Sequence, residues 1–312
     1  MNYLGVDGCK DGWFCVSLDE EGEWSYGVIP DAKSLGEFAS HASTVLIDIP
    51  IGLLDKGTEE RQCDKEARRL LTPKRSSSVF PAPARQTLQA DSYEQAQQFN
   101  RSSIGRGLSK QSWNIVPKIR EIDDLLSSNP SLQGVVRECH PEVCFWALND
   151  NSAMLYNKKK EEGRHERLAV LEKYFAPCRE LFEQASSRYL RRQVALDDII
   201  DAMVCAVTAR YGFNQFKTVP LAPAQDSHGL PMEMVYWSPG SYTIPCFSLL
   251  YRSRVPVLPP FVQDRLRQLL SLRHSHLYRH RALLRLCHAG MGYVSGYPYQ
   301  QVAASRLCRA RV

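Results

Sequence analysis

Acidic residues occur at four separate places in this chain of 312 residues, each beside a short apolar segment. Carboxylates that meet at one point repel one another, so a folded protein keeps them together chiefly to bind cations or to transfer protons. Three of the places belong to strand-like segments, and the fourth opens an apolar helix. The acids are Asp7, Asp48, Glu138 and the trio Asp197, Asp198 and Asp201.

Asp48 lies in the segment TVLIDI (44–49), whose apolar run is typical of a strand buried on both faces. An unpaired carboxylate there is costly, so Asp48 needs a partner, a cation or a shifted pKa. A structural ion pair explains it as well as a functional site does. Asp7 is predicted to end the first strand, although Asp-Gly is also a common turn pair.

The trio at the start of the last helix has helical spacing. Asp198 and Asp201 are three residues apart and Asp197 and Asp201 are four apart, which places carboxylates on one face. Acids in a first turn favour the helix dipole, and this explains Asp197 and Asp198 better than Asp201. A repelling pair of acids beside an apolar stripe therefore favours a bound cation.

Glu138 also follows a strand-like segment and leads into His140, Pro141 and Glu142. His140 could ligate a metal or act as a general base, although a lone histidine is more often structural. Together the acids predict a site of oxygen ligands for Mg²⁺ or Mn²⁺, with water and a substrate phosphate completing the shell. Two such ions could activate a water and stabilise the leaving oxygen in phosphodiester cleavage.

The elements that must position these residues indicate an α/β protein with a mixed sheet. Three strands in an antiparallel meander are followed by a helix, a strand, a helical insertion, another strand and further helices. The expected strands are 3–7, 13–18, 23–29, 44–49 and 134–138, with a last strand within 229–237. The expected helical regions are 32–41, the insertion 57–125, 158–183 and the strongly amphipathic 194–211.

The chain resembles the family numbered 429 among domains of unknown function, over roughly residues 1–238. The matching motifs stand in the family's order and spacing. They are GVDGCKDGW, IDIPIGL, RQCDKEARR, SSVFPAPAR, VPKIREID, ECHPEVCFWAL, KKKEEGRHERL and DDIIDAMVCAVTAR. Members of the family are usually described as predicted nucleases with an RNase H-like fold. The resemblance therefore implies a central five-stranded mixed sheet flanked by helices.

The wider RNase H-like superfamily has one catalytic acid on the first strand, one on the fourth and one or two on the last helix, in a D-x-x-D-A pattern. By that resemblance Asp7, Asp48, Asp198 and Asp201 are the expected ligands of Mg²⁺ or Mn²⁺. Glu138 is an acid particular to the family, and with His140 it is expected to assist proton transfer. The implied function is a metal-dependent nuclease, with a nucleic acid or nucleotide as substrate.

Basic residues of the insertion could bind substrate phosphates, because phosphate contacts position nucleic acids. The candidates are Arg68, Arg75, Arg85 and Lys118, with Lys158–Lys160 as similar candidates. A solvated charged face is the commoner explanation for each of them alone.

Two other functions remain open. An ATP-dependent phosphotransferase of the actin and sugar-kinase type would share the sheet and a first-strand aspartate followed by glycines. It would also need an adenosine-binding Gly-Gly segment, which residues 1–240 lack. A noncatalytic protein that retained the fold is the other alternative, and the intact set of acids argues against it.

Composition divides the chain near residue 240. Residues 241–312 contain 11 Arg, no Lys, no Glu and one Asp, whereas residues 1–240 contain 28 basic and 33 acidic residues. We expect an RNase H-like domain at 1–240 and a divergent, poorly ordered tail. The tail could be a nucleic-acid-binding arm, a membrane-surface helix or an altered C-terminus. The absence of Lys and Glu favours the third.

The ten cysteines are dispersed and form no CxxC pair, which is typical of reduced thiols in a cytoplasmic protein. The N-terminus has no basic region followed by an apolar signal core, so secretion is not expected. The longest apolar segments are too short for a membrane span. Protein partners and oligomeric state are not indicated by the sequence.

Overall fold

A computed structural model describes residues 1–240, and the statements below concern that part of the chain. The sequence-based expectations for residues 241–312 lie outside the described residues. The strands are β1 (Asn2–Cys9), β2 (Gly12–Asp19), β3 (Trp24–Ile29), β4 (Thr44–Ile47), β5 (Val136–Glu138), β6 (Lys217–Val219) and β7 (Met234–Tyr236). The helices are α1 (Ala32–Ala39), α2 (Gln62–Leu71), α3 (Tyr93–Ile104), α4 (Lys110–Ser128), α5 (Pro141–Leu148), α6 (Glu161–Leu171), α7 (Cys178–Arg188) and α8 (Leu196–Gly212).

The central sheet has five strands in the order β3-β2-β1-β4-β5. The pairs β1–β2 and β2–β3 are antiparallel, whereas the pairs β1–β4 and β4–β5 are parallel. The predicted mixed sheet and its antiparallel meander are thereby confirmed. This α/β arrangement, with helices flanking the sheet, is consistent with an RNase H-like fold.

Each face of the sheet packs against its own apolar cluster. One cluster joins β1, β2 and β4 to α8 and includes Phe14, Leu46 and Met203. The other joins the opposite face to α1 and α4 and includes Val6 and Ile47. Successive residues of β1 and β4 therefore point to opposite helical layers, as strand geometry requires. This alternation decides which acids can meet.

Helix α8 lies very close to β1, and Gly5 makes this approach possible. A Cβ atom at Gly5 would stand 2.1 Å from the backbone nitrogen of Ala206 and 2.2 Å from the carbonyl oxygen of Ala202. Any side chain at residue 5 would push the helix away from the sheet. The first strand and the last long helix are thus brought into direct backbone contact.

The insertion between β4 and β5 contains α2, α3 and α4, in agreement with the expected helical excursion. Strand β1 continues past Asp7 to Cys9, because it keeps pairing with β2, so the prediction that Asp7 ends the first strand was wrong. Helix α2 begins at Gln62, and the segment after His140 forms α5. The expected last strand is present as β7, which pairs with β6 in a separate two-stranded sheet.

Candidate metal centre

Asp7 and Asp48 lie side by side where β1 and β4 stop pairing. The last parallel pair joins Val6 to Ile47, and the backbone nitrogen of Asp48 donates to the carbonyl oxygen of Val6 at 3.0 Å. Each aspartate follows a member of that pair, so both side chains point to the face that α8 covers. Asp7 is buried, whereas Asp48 is partly exposed.

Asp201 completes this group from α8. One carboxylate oxygen from each of Asp7, Asp48 and Asp201 lies within 4.8 Å of the other two. We call these three residues the acid triad. The close packing of α8 at Gly5 accounts for the short distances, because Asp201 is next in sequence to Ala202, whose carbonyl oxygen faces Gly5. The sequence predicted the three members, and the fold brings them together.

A single lysine neutralises part of the triad's charge. The Nζ atom of Lys158 donates to Asp201 and lies 3.8 Å from a carboxylate oxygen of Asp197. Among the described residues, no protein donor lies within hydrogen-bond distance of the carboxylates of Asp7 or Asp48. The triad therefore has three acidic groups and one direct cationic partner.

The surroundings of the triad raise the pKa of every member. Burial raises the pKa of Asp7 well above its ordinary value, and the charges of Asp48, Asp198 and Asp201 raise it further. Burial also raises the pKa of Asp48, and it raises the pKa of Asp201 to about 6 although the ammonium of Lys158 opposes the rise. Crowded acids with raised pKa values are typical of sites that bind cations or transfer protons.

Asp198 lies next to the triad but is not one of its members. Its carboxylate accepts a hydrogen bond from the backbone nitrogen of Ala195 at 2.9 Å, which secures the first turn of α8. Burial raises the pKa of Asp198 to about 7, while the bond from Ala195 opposes the rise. Its charge acts on Asp7, so Asp198 could still contribute to cation binding from the rim.

Glu138 does not join the triad. Its register partner is Ile47, which points to the face opposite that of Asp48. On that face Arg61 donates to both oxygens of Glu138 at 2.8 Å, and the backbone nitrogen of Ile51 donates at 2.6 Å. Arg61 also donates to Asp64, so we call Arg61, Asp64 and Glu138 the Arg61 cluster. The expected catalytic role of Glu138 is not supported by this placement.

His140 is the N-cap of α5. Its Nδ1 accepts from the backbone nitrogen of Glu142 at 3.2 Å, and its Nε2 lies 3.3 Å from the carbonyl oxygen of Ser78. Both ring nitrogens thus have backbone partners, which fits the structural alternative better than a free general base. A positive charge on His140 would lower the pKa of Asp48, against the larger effect of burial.

Three of the four arginines and lysines proposed for phosphate binding already have strong partners. Arg68 pairs with Glu60. Arg75 donates to the carbonyl oxygens of Met154 and Leu155. Arg85 pairs with Asp123 and Asp226.

Lys118 has weaker contacts. Its Nζ atom stands 4.4 Å from the centre of the Trp13 ring and 3.8 Å from a carboxylate oxygen of Glu121. These contacts secure the insertion and the loops around it.

Comparison with models of known protein families gives a match over most of the chain. A model described as "Protein of unknown function (DUF429)" matches residues 5–224. The chain belongs to the DUF429 family. No curated protein and no solved structure matched it. In the described part of this DUF429 protein, none of the helices is long and apolar enough to cross a membrane.

The donor set of this DUF429 protein fits a hard divalent cation. The triad offers carboxylate oxygens only, and two of the three carboxylates have no protein donor among the described residues. Mg²⁺ and Mn²⁺ prefer such ligands and retain bound waters, which the partly exposed Asp48 would admit. The acid triad can therefore hold a divalent cation with little rearrangement.

Sequence reasoning missed three features of this region. Lys158 was considered only as a phosphate contact, because a run of three lysines gives no sign of which one turns inward. Arg61 and Glu138 are 77 residues apart, so no local pattern could pair them. Glu142 was considered beside His140, but its partner Arg167 lies on another helix.

Proposed function

We propose that this protein is a metal-dependent phosphodiesterase that cleaves nucleic acid. The convergence of the Asp7, Asp48 and Asp201 carboxylates within 4.8 Å carries this proposal. Three buried or half-buried acids with raised pKa values cost the fold stability unless a bound cation offsets their repulsion. The RNase H-like sheet with acids on its first and fourth strands and its last helix supports the same function.

In this function the acid triad would hold Mg²⁺ or Mn²⁺, with Asp198 assisting from the rim. When bound, such ions supply an activated water and a counter-charge for the leaving oxygen. Asp7 and Asp48 would orient the reacting groups, because β1 and β4 fix their backbones through the sheet. Glu138 would act indirectly, since it fixes the loop that follows Asp48 through the nitrogen of Ile51.

Exposed basic residues beside the triad would contact the substrate's phosphates. The backbone nitrogen of Lys10 donates to the carbonyl oxygen of Gln193 at 3.1 Å, which joins the β1–β2 turn to the loop before α8. Lys10, Arg191 and Arg192 are all exposed there, at the edge where β1 and α8 present Asp7 and Asp198. Cationic side chains at this edge suit an anionic backbone.

A cytoplasmic location forms part of the proposal. The seven cysteines of the described residues are free and buried, as expected of a protein kept under reducing conditions.

The test is cleavage of single-stranded and double-stranded DNA and RNA with Mg²⁺, with Mn²⁺ or with EDTA. We expect cleavage only with a divalent cation. We expect Asp7→Asn and Asp201→Asn each to lower the rate by at least about a hundredfold, because each would lose a charged metal ligand. Asp124→Asn changes an exposed aspartate on α4 and serves as the matched control. Cleavage in EDTA, or full activity of Asp7→Asn, would refute the proposed function.

A further inference from the structure

The ammonium of Lys158 lies against the triad, whose carboxylates would attract a divalent cation to the same place. The ammonium donates to Asp201 and lies 3.8 Å from a carboxylate oxygen of Asp197. The side chain is 34% exposed. A lysine has a flexible four-carbon stem and a compact charge, and it can leave a carboxylate without moving its backbone.

The loop that carries Lys158 is firmly anchored. Glu166 accepts from the backbone nitrogens of Leu155 and Tyr156 at 2.7 and 3.0 Å. Arg75 donates to the carbonyl oxygens of Met154 and Leu155 at 3.0 and 2.6 Å. These contacts fix the loop just before Lys158, so its position does not depend on its own ion pair.

A second set of contacts fixes the same loop to the helices around the triad. The buried guanidinium of Arg167 donates to the carbonyl oxygens of Tyr156 and Gly163 and pairs with Glu142 on α5. A Cβ atom at Gly163 would stand 2.0 Å from the carbonyl oxygen of Asn157, so a glycine is required for the loop to approach α6. The backbone is thus held in place while the lysine side chain stays partly exposed.

One ammonium cannot neutralise three carboxylates. On α5, the Oε2 atom of Glu142 is also buried without a hydrogen-bond partner among the described residues. The region therefore retains a negative charge that a divalent cation offsets better than a lysine does. The carboxylate of Asp201 would serve both cations, and their positive charges repel each other.

We propose that Lys158 is an internal cation that occupies the triad in the metal-free protein and swings out to solvent when a divalent cation binds. In the metal-free protein the lysine would reduce the repulsion among the acids. It would also lower the affinity of the triad for a divalent cation, because the cation must displace it. This inference rests on the proposed metal site but concerns a residue outside the ligand set.

Lysine labelling with an acetylating reagent, followed by mass spectrometry, tests this directly. Lys159 and Lys160 are exposed neighbours in the same loop and provide internal controls. In EDTA we expect Lys158 to react at least about tenfold more slowly than these neighbours, because Asp201 and burial protect its ammonium. With saturating Mg²⁺ we expect the three rates to become similar. Equal rates in EDTA, or continued protection of Lys158 with Mg²⁺ bound, would overturn the proposal.

Calorimetric titration with Mn²⁺ separates this proposal from the metal site itself. We expect Lys158→Met to bind Mn²⁺ at least about tenfold more tightly than the wild type, whereas Lys159→Met binds like the wild type. If all three proteins bind Mn²⁺ equally, Lys158 is no competitor but the metal site stands. If none of them binds Mn²⁺, the metal site and the proposal both fail. Binding by Lys158→Met alone would support both.

Discussion

The acid triad and the Arg61 cluster are both groups of acids with one basic side chain, yet they differ in how many of the acids that side chain contacts. Arg61 donates to Asp64 and to both oxygens of Glu138, and backbone nitrogens supply further donors. Lys158 donates to Asp201, while Asp7 and Asp48 have no protein donor among the described residues. The planar fork of arginine satisfies several carboxylate oxygens at once, whereas lysine is a point charge.

This difference separates acids whose oxygens accept hydrogen bonds within the fold from acids whose oxygens have no protein donor among the described residues. Donors surround the carboxylates of the Arg61 cluster, which has little affinity left for a foreign cation. The triad has oxygens to spare and is held together against its own repulsion. The two groups also cooperate, because the Arg61 cluster binds Ile51 and Gly52 and so fixes the backbone that follows Asp48.

Loss of Arg61 should give the largest effect on stability. We expect Arg61→Met to lower the free energy of unfolding by about 3–5 kcal/mol, because Glu138 and Asp64 would remain buried without their cation. Urea unfolding followed by circular dichroism measures the loss. Arg69→Met, at an exposed position on the same helix, should change stability by less than about 0.5 kcal/mol. Similar losses in both variants would show that Arg61 has no special structural role.

The dependence of stability on pH should show the next largest effect. Burial raises the pKa of Asp201 from 3.8 to about 6 in the folded protein. Between these values the folded state binds more protons than the unfolded state, so the free energy of unfolding falls as pH rises. We expect the metal-free wild type to lose up to about 3 kcal/mol between pH 4 and pH 7 relative to Asp201→Asn.

Magnesium should reverse this trend for the triad and leave the Arg61 cluster unaffected. Burial also raises the pKa of Glu138 to about 7, against the opposing charge of Arg61, so Glu138 contributes a loss of stability in the same direction. Bound Mg²⁺ stabilises the ionised triad alone. Unfolding curves at several pH values, with Mg²⁺ or with EDTA, check this. An identical dependence in wild type and Asp201→Asn would rule out the assigned shift.

Much of the fold and part of the site followed from local sequence patterns. The alternation of β1 to β3 and the apolar run before Asp48 predicted the strands, and the 3.6-residue period around Met203 predicted α8. The buried apolar strand indicates Asp48, and helical spacing to other acids indicates Asp201. The full ligand set of Asp7, Asp48, Asp198 and Asp201 is implied by the family resemblance. Strand alternation and helical period depend only on residues that are close in sequence, so they can be recognised without knowledge of the fold.

Glu138 shows why the rest could not be predicted. Glu138 can join the triad only if its side chain lies on the face of the sheet that α8 covers. A change of one residue in the strand register moves the side chain to the other face. The register of β5 against β4 comes from nonlocal pairing of Glu138 with Ile47. The inward turn of Lys158 is likewise set by anchors at Arg75, Glu166 and Arg167, which follow no local period.

The smallest effect expected here has the opposite sign to the first. Asp48 has no protein donor among the described residues, and its pKa is raised by burial. We expect Asp48→Asn to raise the free energy of unfolding of the metal-free protein by about 1 kcal/mol, because one charge leaves the triad. The same change should abolish the stabilisation by Mg²⁺, whereas Glu138→Gln should retain a response to Mg²⁺, because Glu138 lies outside the triad. Thermal unfolding of both variants with Mg²⁺ or EDTA makes this comparison. If Asp48→Asn instead lowers the free energy of unfolding, Asp48 resembles the acids of the Arg61 cluster. Neutralising a carboxylate destabilises a protein only where that carboxylate has a favourable partner.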